Sequence, residues 1–217
     1  MTTSNNQNST EKFPPGQQRT TDHADSTAKI DELARLSERV SSLLDGLPDE
    51  QWDDATPCTD WRVRDLVTHL VQGNRVFTAA LRGSPGHIPD TPGYPDDERD
   101  AARLRAAFRE STNEVVTALR LPGVMDQTVS VPFGAIRGAV VVHLRVVEML
   151  VHGWDLAQAS GQPVEVSPEL AEQELRFTER QLSAIPADRR PFGPPQPVAA
   201  DASAFDRLLG MLGRAPV

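Results

Sequence analysis

The residues best placed to do chemistry sit on one unusually apolar stretch. Residues 138–159 carry Val140, Val141, Val142, Leu144, Val146, Val147, Met149, Leu150, Val151, Trp154 and Leu156. A helix that is apolar nearly all round is buried centrally. Charge inside it needs compensation, because an ionised group taken out of water is strongly unfavourable. Yet Arg145, Glu148, His152 and Asp155 fall within a fan of roughly 80° on one face at about 100° per residue. Glu148 and His152, four residues apart, converge on one point. A Glu-x-x-x-His pair offers two ligands of the kind that zinc and similar divalent ions take, and a catalytic site adds a third while leaving one position open. His143 lies about 180° from His152 around the axis, so it is expected to have a partner of its own.

A third ligand must come from another element, and the five histidines leave few choices. His23 lies in a polar N-terminal stretch and His87 in a proline-rich connector. His69 falls on a second amphipathic helix, about 110° from the middle of its apolar stripe, where a side chain reaches a cleft between helices. Plainer readings stay open on spacing alone. Glu148 can pair with Arg145 three residues earlier, His152 can be a hydrogen-bonded core histidine, and His69 a polar flank. Asp155 can orient a ligand histidine or cap its helix, and Arg145 can bind an anionic substrate or balance Glu148. The sequence contains no HExxH, no paired E-x-x-H, and no GxGxxG, GxSxG or P-loop pattern.

The elements that position these groups follow from periodicity. Residues 1–26 are rich in Thr, Ser, Asn and Gln, and with few apolar members they are expected to form a disordered tail. From residue 28, Ile30, Leu33, Val40, Leu43, Leu44 and Leu47 recur at helical spacing. A second helix, capped by Thr59 or Asp60, carries Val63, Leu66, Val67, Leu70, Phe77 and Leu81. After the connector at 83–95 a third helix is expected over 96–120, then a short hairpin or extended excursion at 128–136. The polar-faced apolar helix comes next, and a fifth helix over 167–183 starts at Ser167-Pro168. A proline-rich stretch leads to a last short helix capped by Asp201. Long helices with almost no strand signal predict an all-α bundle. It is divided as a tail at 1–26, a bundle at 27–184 and an extension at 185–217.

Composition narrows the function. The 217 residues carry a formal charge of −9, and apart from Lys12 and Lys29 the basic residues are scattered arginines. No basic stripe exists for phosphate, so nucleic acid is not an expected partner. A lone cysteine, Cys58, forbids an internal disulfide or a Cys-pair zinc ribbon, and it is expected to be packed rather than activated. No apolar run is long enough for a signal h-region or a membrane span, so a reduced cytoplasmic setting is expected.

Two stretches carry a family resemblance. Thr56-Pro57-Cys58-Thr59-Asp60-Trp61-Arg62-Val63-Arg64-Asp65-Leu66-Val67-Thr68-His69-Leu70 and Val146-Val147-Glu148-Met149-Leu150-Val151-His152-Gly153-Trp154-Asp155-Leu156 resemble the DinB-like superfamily, specifically its mycothiol-dependent maleylpyruvate isomerase type of metal-binding domain. The likeness runs from about residue 28 through Leu208-Leu209-Gly210-Met211-Leu212-Gly213-Arg214. It implies a DinB-like four-helix bundle with a divalent metal, commonly zinc, held by His69, Glu148 and His152. It also implies mycothiol as co-substrate. The characterised isomerases carry a larger C-terminal domain, whereas a proline-rich stretch and short helix stand here, so maleylpyruvate does not transfer as substrate.

The leading expectation is a metal-dependent enzyme that activates a low-molecular-weight thiol for isomerisation, conjugation or substitution. The alternatives are a metal-dependent hydrolase with Asp155 as base and a non-catalytic metal-binding bundle. The expected partners are a small-molecule substrate and the thiol, with homodimerisation left open.

Overall fold

The computed structural model describes residues 15–58, 61–84, 100–186, 190 and 192–216, with side chains from Ser26 onward. Four long helices make the bundle: α1 (Pro15–Gly46), α2 (Val63–Leu81), α3 (Ala101–Leu119) and α4 (Gly138–Ser160). A 3-10 turn at Asp49–Asp53 follows α1, and strands β1 (Thr128–Val131) and β2 (Gly134–Arg137) form an antiparallel hairpin just before α4. Two further helices, α5 (Pro168–Ser183) and α6 (Ala204–Met211), pack on each other, with α5 against α4. The fold is mostly helical, with one two-stranded hairpin among the described residues.

Within the bundle α2 lies along α3, while α1 lies along α4 and α3. Their apolar stripes meet in one core that includes Leu33, Val40, Leu44, Leu66, Leu70, Phe108, Val146 and Leu156. Burial of such side chains, at roughly 1.5–3 kcal/mol each, is the main force holding the helices together. Two glycines set α4. A Cβ at Gly138 would lie 2.0 Å from the Val124 carbonyl oxygen, and one at Gly153 would lie 3.3 Å from Val40 on α1.

Four boundaries differ from the sequence expectation. Helix α1 begins at Pro15, inside the segment expected to be a tail, because proline suits a first helical position and neither Gly nor Pro interrupts residues 17–45. Residues 1–14 lie outside the described residues. Helix α2 is capped by Arg62, whose backbone N–H donates to Asp65 Oδ2 at 3.0 Å. Thr59 and Asp60 are too far upstream to cap it, and they also lie outside the described residues. Ser203, not Asp201, caps α6, accepting from the Asp206 N–H at 3.1 Å. Asp100 caps α3 four residues later than the expected start, and Ser167 caps α5 as the sequence predicts.

Candidate metal centre

Helix α4 turns its polar face toward α2 and the segment after α6. His69 on α2 meets Glu148 and His152 there, and one ligand atom from each lies within 4.8 Å of the others. His69 Nε2 is 2.8 Å from Glu148 Oε2, and His152 Nε2 is 3.4 Å from the same oxygen. The two imidazoles stand edge to face with centroids 5.1 Å apart. The histidine on α2 is 38% exposed while His152 is 8% exposed, so the cluster opens on the α2 side.

The tautomer of His152 follows from its other nitrogen. Nδ1 lies 2.9 Å from Asp155 Oδ2. An ionised carboxylate only accepts, so Nδ1 carries the hydrogen and donates it. A neutral ring then presents a lone pair at Nε2, facing the Glu148 carboxylate. Two acceptors set face to face call for a cation, either a proton on the ring or a metal ion. The donor set of two imidazoles and one carboxylate therefore fits a divalent metal such as zinc.

The cluster also shifts its own ionisable groups. Burial alone would push the Glu148 carboxyl up, but the charge and hydrogen bonds of His69 and His152 hold it well below the ordinary carboxylate range. Burial would lower His152, yet its hydrogen bonds to Asp155 and Glu148 outweigh that and raise it. Asp155, fully buried, is pushed up by burial and pulled further down by its hydrogen bonds to His152 and Arg214.

Arg145 packs beneath Glu148. Its Nη1 is 4.0 Å from Glu148 Oε2, its Nη2 donates to the Leu70 carbonyl at 3.4 Å, and its Nε has no partner. The guanidinium is only 1% exposed and lies over the Phe77 ring. Gly73 makes room for it, since a Cβ there would stand 2.7 Å from Nη1. His143 is elsewhere, stacked on Phe177 and 3.0 Å from both carboxylate oxygens of Glu174, which also binds Lys29.

Three neighbours escaped the sequence reading. The loop before α2 is closed by Thr56, whose backbone N–H and hydroxyl both donate to the Trp61 carbonyl. That loop lays the Trp61 ring 4.6 Å from His69 and 5.9 Å from His152. Cys58, in the same loop, brings its sulfur within 4.8 Å of ligand atoms on His152 and Asp155, and burial pushes its thiol up. Arg214 reaches Asp155 from beyond α6, donating from Nη2 to Oδ2 at 2.6 Å and from Nε to Oδ1 at 3.2 Å. A separate groove of about 250 Å³, lined by Val40, Met149, Gly153 and Val164 among others, runs along another face of α4 and shares none of these residues.

A helical bundle with a two-histidine, one-carboxylate cluster between α2 and α4 is the class of protein that this geometry defines. Residues 33–157, more than half of the chain, match the family described as the mycothiol maleylpyruvate isomerase N-terminal domain. The chain belongs to that family, and with it to the DinB-like superfamily. Two Mycobacterium tuberculosis proteins, "Uncharacterized protein MT0763" of strain CDC 1551 / Oshkosh and "Uncharacterized protein Rv0738" of strain ATCC 25618 / H37Rv, are each 31% identical over 181 residues. The match spans 83% of this chain and 94% of each relative. Crystal structures of the mycothiol-dependent maleylpyruvate isomerase and a mutant of it share the fold, with TM-scores of 0.54 and 0.58 at 15% and 12% identity. Each covers 71% of this chain and 72% of the solved one. No described helix is long and apolar enough to cross a membrane.

Proposed function

We propose that this protein holds a divalent metal, zinc, through His69, Glu148 and His152, and uses it with a low-molecular-weight thiol of the mycothiol type to act on a small electrophile in the cytoplasm. The observation that carries this reading is the His152 arrangement, with Nδ1–H committed to Asp155 and Nε2 turned toward Glu148 and His69. Bound there, a divalent ion with an open position supplies the Lewis acidity that makes a thiol acidic near neutral pH. The chain does the rest. Glu148 contributes the one negative charge of the ligand set, Asp155 fixes the His152 ring, and Trp61 packs its ring against both imidazoles. Burial pushes the Cys58 thiol up, and this reading takes the reactive sulfur from outside the chain. Isomerisation and conjugation begin with addition of that sulfur across a carbon–carbon double bond of the electrophile, whereas substitution forms the carbon–sulfur bond as the leaving group departs with its electron pair.

The hydrolase alternative needs a free base beside the ligands. Asp155, the candidate for it, has both carboxylate oxygens engaged by Arg214 and His152.

Metal analysis and a cobalt titration test the reading. Purified protein should hold close to one divalent ion per chain. His152→Ala should lose most of it, whereas His143→Ala should keep it. Cobalt-substituted protein should develop a thiolate-to-metal charge-transfer band with mycothiol, equally in the Cys58→Ser variant. A spectrum unmoved by the thiol but shifted by small oxyanions would transfer the open position to water and to hydrolysis.

A further inference from the structure

Arg214 stands 57 residues beyond the end of the matched family domain at residue 157, yet it touches the outer edge of the ligand cluster. Its placement is built. Gly213 takes a left-handed φ of 86°, its N–H donates to the Gly210 carbonyl at 3.1 Å, and the Arg214 N–H donates to the Leu209 carbonyl at 2.9 Å. That pair of bonds is a Schellman ending, which reverses the chain at the end of α6 and aims the next side chain back toward the bundle. The proline-rich stretch locks the ending in place. Gln196 N–H donates to the Gly210 carbonyl at 2.8 Å, and a Cβ at Gly210 or Gly213 would press on Val198 or on Gly193. The guanidinium is then held at both ends, with Nη1 donating to its own segment at the Leu212 carbonyl (2.8 Å) and the Nε/Nη2 fork on Asp155. The ion pair itself is buried, with Arg214 6% exposed and Asp155 0%.

We propose that Arg214 is a positioning residue for the metal centre, acting through Asp155 on His152, so that docking of the α6 segment and metal binding reinforce each other. This rests on the ligand assignment proposed above. The physical case is the fork. Asp155 can swing about its side-chain bonds, and two parallel N–H···O bonds from a planar guanidinium fix its plane where one bond would not. A fixed Asp155 in turn fixes the His152 ring with Nε2 toward Glu148 and His69. Outer hydrogen-bond partners of this kind change metal affinity by about 10- to 100-fold when removed. Because the coupling is reciprocal, whatever the docked segment adds to metal affinity the metal adds to docking.

The test uses the full chain and zinc, with affinity read by competition against a chromophoric chelator and docking by hydrogen exchange. Arg214→Met should weaken zinc binding about 10- to 100-fold, and Arg214→Lys should recover only part, since an ammonium cannot form the fork. Zinc should slow amide exchange across residues 204–214 in the wild type and not in Arg214→Met. If a buried, unpaired Asp155 prevents that variant from folding, Arg214→Met/Asp155→Asn removes both charges and should fold while binding zinc as weakly as Asp155→Asn alone. Wild-type zinc affinity in either methionine variant, with His69→Ala and Glu148→Gln weakened, would overturn the positioning role and leave the ligands standing. Wild-type affinity in His69→Ala and Glu148→Gln would overturn the ligand assignment and this inference with it.

Discussion

Replacing Arg145 with methionine should stabilise the metal-free protein, against the usual expectation for an ion-paired arginine. Arg145 is 1% exposed, and the charge it faces among the described residues is Glu148, 4.0 Å away. At an effective dielectric constant of about 20 that attraction is worth roughly 4 kcal/mol, and solvent at Glu148, 21% exposed, reduces it. The hydrogen bond to the Leu70 carbonyl is long at 3.4 Å, and the contact over Phe77 at 5.7 Å adds about 1 kcal/mol. Opposing these is a desolvation penalty of several kcal/mol for the guanidinium, with about 1–3 kcal/mol more for its unpartnered Nε–H. Methionine fills most of the slot beside Gly73 with apolar surface. Glu148 is not stranded, because His69 and His152 still face it. The expected gain is about 1–3 kcal/mol, or roughly 2–4 °C in Tm for each kcal/mol in a chain of this size. Urea unfolding in the presence of a chelator measures it, and zinc stoichiometry confirms that the site survives. A midpoint lowered by more than about 1 kcal/mol at an unchanged m-value would show that the attraction to Glu148 exceeds the desolvation penalty.

Three further outcomes are expected. Gly138→Ala should cost about 3 kcal/mol, the upper end for overpacking, because its Cβ meets the Val124 backbone carbonyl, which has no rotamer to move away; urea unfolding reads it, and a loss under about 1 kcal/mol would mean that the 124–125 turn yields freely. Lys29→Met should cost about 3–5 kcal/mol by taking the ammonium away from fully buried Glu174, which keeps His143 as a partner, and Lys29→Met/Glu174→Gln should recover much of it. Metal-free Tm should peak at mildly acidic pH. Asp155 and Glu148, depressed in the fold, lose their contribution as pH falls through their folded pKa values, while His152, raised in the fold, contributes fully below about 6.5 and loses it as pH rises through its folded value. Zinc-loaded protein should show the opposite slope above about pH 5, since protons compete for His152, and parallel profiles for the two forms would contradict both the shifts and the site.

Much of the bundle was legible because its signals are periodic. The apolar spacing of α1, α2 and α5 repeats over three turns or more, and the near-continuous apolar surface of α4 marked it as central. The 180° separation of His143 from His152 correctly sent it to a different partner, Glu174. Helix starts were less legible, since a cap depends on where the preceding loop hands the chain over. The antiparallel bridge between Ala55 and Arg62 closes the loop six residues wide and moves the start of α2 to Val63. The early start of α1 shows the converse. Once the turns after residue 28 have formed, a run without Gly or Pro lets the helix propagate back toward Pro15, and composition alone reads such a run as a tail.

What the sequence concealed about the site is the company its residues keep. Trp61 and Cys58 stand only eight and eleven positions before His69, yet their approach depends on a loop held shut by the Thr56 hydroxyl rather than on any helical spacing. Arg214 is more distant still, and a charge count on α4 points to it. Glu148 has a cation on its own helix in Arg145, and His152 has Asp155, but Asp155 is a carboxylate on a buried face with no cation assigned to it. A buried carboxylate without a cation is too unfavourable to keep. A basic residue from another segment is therefore required, and it must arrive by a turn sharp enough to reach inward. Leu212-Gly213-Arg214, at the end of a short apolar helix, has the glycine that such a turn needs directly before the arginine that Asp155 needs.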